Sequence, residues 1–217
     1  MLDAKAIVKR YGELEILKGI DLQVAPAEVI SIVGSSGAGK TTLLQILGTL
    51  DAPTSGQVLI EGQNPFEMSE KALSYFRNQR LGFVFQFHQL LPEFTAQENI
   101  ALPAMIGGQN QTDAFKAASK LLSRFGLESR ALHKPAALSG GEQQRIAVAR
   151  ALINKPALVF ADEPSGNLDT ENANALHSLF FELREEFKQS FVLVTHNDSF
   201  AQMADRSLTM KDGRFIL

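Results

Sequence analysis

The sequence contains no cysteine. That absence removes disulfides, thiolate metal sites and cysteine nucleophiles together, and it suits a reducing compartment. No apolar run approaches the roughly 18 residues that a membrane-crossing helix needs. Met1-Leu2-Asp3-Ala4-Lys5 also lacks the charged start and long apolar core of a signal peptide. The expectation is a protein soluble by itself and cytoplasmic. A surplus of one charge is missing too: 21 basic residues face 24 acidic ones, so no bulk field draws the chain to nucleic acid or to an anionic bilayer. The four histidines, His88, His133, His177 and His196, have no metal-like spacing, which argues against a protein zinc site. Internal repeats and low-complexity tracts are absent. What remains is a chain of 217 residues, long enough to bury a sizeable core and expected to form one compact unit.

Gly34-Ser35-Ser36-Gly37-Ala38-Gly39-Lys40-Thr41-Thr42 fits the pattern G-x-x-x-x-G-K-[ST]. The apolar run Val29 to Val33 in front of it predicts a buried strand, and Leu43 to Leu47 behind it a helix. Strand, glycine loop and helix therefore stand in the order that a polyphosphate cradle requires. The glycines let successive backbone N–H groups and the positive end of the new helix point at negative oxygens. Lys40 is placed to reach the β- and γ-phosphates, and the Thr41 hydroxyl to hold Mg²⁺, a hard cation that keeps most of its waters.

Ala4 to Val8 and Ile16 to Val24 predict two earlier strands, with Pro26 in the connection that follows. Tyr11-Gly12 lies between them. An aromatic there offers a face for stacking on a base, and ordinary hairpin packing accounts for it as well. Asp51 to Gly56 is a turn cluster, Gln57 to Gly62 a short strand and Ser69 to Arg80 a helix. Leu81 to Phe85 predicts a buried strand delivering Gln86 at its carboxyl end, where ligands gather in open α/β sheets. The stretch 87–105, broken by Pro92 and Pro103, mixes apolar and polar residues and fits either a packed lobe or an apolar docking groove. After it, Thr112 is the expected cap of a helix running to about Phe125, ended by Gly126.

Ser139, with Glu142 three residues later, forms a capping box ahead of a helix over 143–153. The box leaves Gly140-Gly141 unexplained, because two glycines in a first turn weaken a helix by roughly 1 kcal/mol each. They point to a backbone opened for an anion. Ala157 to Ala161 is a buried strand ending in Asp162-Glu163. Neighbouring side chains diverge, so Asp162 can face a metal while Glu163 faces an attacking water. A helix is expected over 171–187, its mixed charged face read as solvation. A strand over 191–195 ends on His196, and Asp212-Gly213 turns a hairpin between strands 207–210 and 214–217.

In their order along essentially the whole chain, Gly34 to Thr41, Gln86, Leu138 to Glu142, Asp162-Glu163, Asn167-Leu168-Asp169 and His196 resemble the ATP-binding cassette ATPase family. The resemblance implies an α/β fold: a P-loop NTPase core with an antiparallel β subdomain and a helical signature subdomain over roughly 87–155, all within one ATP-binding domain, 1–217. It implies ATP and Mg²⁺ as cofactors, a head-to-tail homodimer and integral membrane permease partners. The expected place is the cytoplasmic side of a bacterial inner membrane, with no direct nucleic acid contact.

By the same resemblance, nucleotide is bound by Tyr11, Gly34, Ser35, Ser36, Gly37, Ala38, Gly39, Lys40, Thr41 and Thr42. Ser139, Gly140, Gly141 and Asp169 act across the dimer. Mg²⁺ is assigned to Thr41, Gln86 and, through water, Asp162. The catalytic group is Glu163, the base, with His196 on the γ-phosphate and Gln86 sensing metal and water. The usual signature has glutamine where this chain has Glu142. Within the family, 82–92, 97–100 and 164–169 look most like the lipoprotein-releasing and macrolide-exporting branch. A cell-division ATPase shares much of that pattern. The nucleic-acid-linked relatives usually carry two cassettes, zinc modules or long helical insertions, which this chain lacks.

Overall fold

The computed structural model describes residues 1–216. In chain order it runs β1 (Leu2–Tyr11), β2 (Leu14–Val24), β3 (Val29–Val33), α1 (Lys40–Leu47), β4 (Ser55–Ile60), α2 (Glu70–Arg80) and β5 (Leu81–Phe85). Then follow α3 (Ala96–Ile106), α4 (Gln111–Arg124), α5 (Gly140–Leu152), β6 (Leu158–Asp162), α6 (Thr170–Phe187), β7 (Ser190–Val194), α7 (Asp198–Met203), β8 (Arg206–Lys211) and β9 (Arg214–Ile216).

Alternation along the strands sets the layers. A six-stranded sheet has the order β5-β6-β7-β3-β8-β9, parallel except for the terminal β8–β9 hairpin. On β7, Val192 and Val194 face one core while Phe191 and Leu193 face the other; on β6, Leu158 and Phe160 alternate in the same way with Val159 and Ala161. Near-continuous apolar strands are what a parallel sheet covered on both faces demands. The first core is closed by the antiparallel sheet β2-β1-β4, with α1 between the two sheets. Leu43, Leu44, Ile46 and Leu47 of that short helix are buried. Each such side chain contributes roughly 1.5–3 kcal/mol, which is what holds a helix of two turns. The second face is covered by α5 and α6, with α3 and α4 packed beyond.

Several expectations are corrected. Pro103 does not break the chain: α3 runs through it. An interior proline loses a rung and costs about 3 kcal/mol. Burial of Ala96, Asn99, Ile100, Ala101 and Ala104 offsets that loss, and the Pro103 carbonyl accepts from the side-chain amides of Asn78 (2.9 Å) and Asn154 (3.2 Å). The cap of α4 is Asn110, whose side chain accepts from the Asp113 N–H, not Thr112. Glu182 and Glu186 on α6 do more than meet solvent, since both pair with Arg124 of α4, at 3.1 and 2.6 Å. The last expected strand residue, Leu217, lies outside the described residues.

Candidate active site

Four strands of the parallel sheet end together. The carboxyl ends of β3, β5, β6 and β7 deliver the Gly34 loop, Gln86, Asp162-Glu163 and His196 to one cavity of about 490 Å³. Gly34, Ser36, Gly37, Gly39, Lys40, Thr41 and Thr42 line it, joined by Gln86, Asp162, Glu163 and His196. Gly39 caps α1 with φ 102°, a left-handed conformation that costs glycine nothing. No side chain caps this helix start, and its first turn holds no acid. Its orphan N–H groups and positive end are therefore open to an anion.

Lys40 Nζ donates to the carbonyls of Gly34 (2.8 Å) and Ser35 (3.0 Å), which folds its ammonium back over the loop. Ser35 and Ala38 shape the loop rather than line the cavity: the Ala38 N–H donates to the Ser35 carbonyl, and Ala38 is buried. Across the cavity the Thr41 hydroxyl lies 3.4 Å from Asp162 Oδ1. Burial raises the Asp162 carboxyl above its ordinary value, with the Thr41 hydroxyl opposing and the Glu163 charge reinforcing that rise. The residue is half-buried and, among the described residues, no cation is ion-paired to it, an arrangement suited to receiving one. Glu163 Oε2 lies 2.8 Å from His196 Nδ1, and the Gln86 amide donates to Asn167 Oδ1 at 3.2 Å.

A family model described as "ABC transporter" matches residues 17–166. The chain belongs to the ABC transporter family. This ABC cassette is 57% identical over 216 residues to the lipoprotein-releasing system ATP-binding protein LolD of Bacteroides fragilis, covering all of both chains. To the protein of the same name from Cytophaga hutchinsonii it is 58% identical over 216 residues, 100% of this chain and 99% of the relative. A solved structure described as a dimeric post-hydrolysis state of the ATP-binding cassette MJ0796, bound to ADP and Pi, superposes with a TM-score of 0.91 at 37% identity. It covers 100% of this chain and 97% of that one. The α/β cassette fold with its antiparallel subdomain is thereby the fold of this chain.

The cassette's remaining expected residues lie away from the cavity. Ser139 caps α5 and Glu142 completes the box, as the sequence indicates, with the Ser139 N–H donating to Glu142 Oε2 at 2.7 Å. Gly141 has a packing reason of its own: a Cβ there would stand 2.5 Å from Asn172 Oδ1. Gly140 and Ser139 are the exposed pair, uncovered by the rest of the chain. Asp169 is the N-cap of α6, accepting from the N–H and the side-chain amide of Asn172, both at 2.8 Å. These bonds hold its carboxyl below its ordinary value.

Tyr11 stands at the hairpin, 50% exposed. Its hydroxyl donates to Asp51 at 2.6 Å, and Lys9 Nζ lies 4.8 Å from its ring centroid. The Asp51 bond raises the phenol above its ordinary value.

Two groups escaped sequence reasoning. Ile16 lines the cavity beside Gly39, from the start of strand β2, where nothing distinguishes it from a core isoleucine. Asn167 ties the loop after Glu163 to Gln86, its Nδ2 donating to the Gln86 carbonyl at 3.0 Å. Its place between the Asp162-Glu163 pair and Asp169 was the available signal.

Proposed function

We propose that the cassette is the ATP-hydrolysing subunit of a system releasing lipoproteins from a bacterial inner membrane, where it drives integral permease subunits from the cytoplasmic side. The observation that carries this reading is a divided site. The phosphate cradle, Asp162 and Glu163 share one cavity, while the exposed start of α5, Ser139-Gly140, lies outside it. A second cassette arranged head to tail supplies that helix start to the phosphate held by the first, with Asp169 at the same junction. The names of the full-length relatives support the lipoprotein assignment. In this reading residues 1–217 are one ATP-binding domain, with 87–155 as its helical subdomain.

Glu163 orients and deprotonates water for in-line attack, His196 and Lys40 meet the γ-phosphate, and Tyr11 offers its free ring face to the base. Thr41 and Asp162 are hard oxygen donors facing each other, with Gln86 on the same cavity, and they suit Mg²⁺. Bound there, the ion neutralises phosphate charge.

The permease seat is a second cavity of about 520 Å³. Leu50, Phe83 and Phe85 form its apolar floor, and Arg77 and Arg150 stand on its walls. Arg150 donates to the carbonyls of Gln89 (2.7 Å) and His88 (2.9 Å), two residues beyond Gln86. The stretch 87–105 contributes Gln89 and Pro103 to this cavity, so the groove is shared with α2, β5 and α5.

The test is to trap Glu163→Gln with ATP in native cells, extract membranes in mild detergent and identify what co-purifies. Permeases with large extracytoplasmic domains are expected. Recovery of a single small division-type permease, or of ribosomes without a membrane subunit, overturns the lipoprotein assignment.

A further inference from the structure

Behind the cavity, a histidine that the hydrolysis scheme does not use is 2% exposed in an apolar core. His177 sits on α6 among Leu176, Phe180 and Leu183, positions where an aliphatic side chain serves packing as well. Burying a polar ring costs free energy unless its nitrogen is bonded. Here His177 Nε2 lies 2.9 Å from the Ser165 hydroxyl, on the loop that follows Glu163. The other contact is a face. The ring stacks on Phe200 of α7, centroids 3.7 Å apart and planes 6° from parallel. That helix starts directly after His196-Asn197, and its N-cap Asn197 accepts from the Phe200 N–H at 2.9 Å.

One buried ring therefore joins the loop carrying the base to the helix beside the γ-phosphate histidine. It also sits where the backbone needs holding. Glu163 has φ 47°, a left-handed conformation that costs a non-glycine residue about 1–3 kcal/mol unless its surroundings fix it. Upstream it is held by its N–H bond to the Val194 carbonyl at 2.8 Å, and downstream by the Gly166 N–H on its own carbonyl at 3.0 Å. The Ser165 bond adds an anchor from α6, beside those that reach the loop from Val194 and, through Asn167, from Gln86.

We propose that His177 is a positioning residue for hydrolysis: through Ser165 and Phe200 it fixes the Glu163 loop against the His196 helix. The proposal rests on Glu163 being the base. The experiment compares His177→Phe, which keeps the stack and loses the hydrogen bond, with Ser165→Ala, the double variant and Glu163→Gln. The full chain is assayed for turnover at saturating ATP, ATP affinity by direct titration and thermal midpoint. Each single change is expected to lower kcat about tenfold with ATP affinity unchanged, as loss of reactive alignment does. The double variant is expected to be no slower than either single, because both remove one bond. His177→Gln, which returns a polar atom toward Ser165, should recover part of the rate. Should His177→Phe fail to fold, Ser165→Ala carries the comparison alone. Parent-like turnover in both singles while Glu163→Gln is inert overturns the role of His177 and leaves the base in place. So do losses that multiply in the double variant. Parent-like turnover in Glu163→Gln overturns the base, and this proposal with it.

Discussion

Glu163 Oε2 meets His196 twice: it accepts a hydrogen bond from the backbone N–H at 3.2 Å and lies 2.8 Å from ring Nδ1. The two residues proposed as base and γ-phosphate histidine are therefore in direct contact. On the proposed reading, a phosphate that draws on the His196 ring loosens this contact and frees Glu163 to turn to water. On the same reading, nucleotide binding and base activation are coupled through this contact.

His196→Ala removes the ring and keeps the backbone N–H. The expected outcome is a fall in kcat of about 100-fold, the size of a lost proton-handling or aligning group. ATP affinity should change far less. Steady-state turnover beside a direct binding titration checks it, and a loss confined to affinity would refute the coupling.

Lys40 folds its ammonium onto the Gly34 and Ser35 carbonyls, a resting place that a polyphosphate replaces with stronger, charge-assisted bonds. Lys40→Ala should weaken ATP binding by about 2 kcal/mol, some thirtyfold, with little effect on folding stability. Fluorescent-nucleotide titration and a thermal melt separate the two.

Much of this site is written in the sequence because its chemistry depends on spacing within single segments. Gly34 to Thr42 needs only its own loop and the strand before it, and Ser139 with Glu142 needs only one helix turn. Legibility fails where the partner lies far along the chain. Asn99 is one of the polar residues in the mixed stretch 87–105, yet it is buried, with Oδ1 accepting from the Leu91 N–H at 2.8 Å and Nδ2 donating to the carbonyls of Leu91, Phe94 and Thr95. That one amide ties down the loop that contains Pro92. Pro103 is misread for the same reason, since the amides that satisfy its carbonyl come from Asn78 and Asn154. Gly141 is credited to an anion alone because Asn172, its neighbour in space, sits on another helix.

The groove makes a sharper prediction than the stretch 87–105 by itself. Leu50 lines it, 44% exposed, whereas Glu93 lies outside it. Leu50→Arg should sharply lower recovery of the cassette with membranes while sparing ATP binding, because it places a third cation beside Arg77 and Arg150. Glu93→Arg should leave recovery unchanged. Sedimentation of membranes from cells expressing each variant decides, and the reverse ranking would move the seat to the loop.

Glu142, the departure from the usual signature glutamine, has a partner that explains it. Arg130 donates to Glu142 Oε1 at 2.7 Å, while Oε2 caps the Ser139 N–H at 2.7 Å. The Arg130 bond, aided by the cap, holds the carboxyl below its ordinary value. A lowered pKa in the fold means that this stabilisation is fully present above the ordinary carboxylate range and is lost as pH falls through the depressed value. Glu142→Gln preserves the shape of the cap and removes the charge. It should cost less than about 1 kcal/mol at neutral pH, since Arg130 is well exposed. The gap between the urea midpoints of parent and variant should then close on acidification, because protonated Glu142 and glutamine present Arg130 with equally neutral partners. A gap that stays constant with pH would show that the pairing contributes nothing, and that Glu142 serves only to cap the helix.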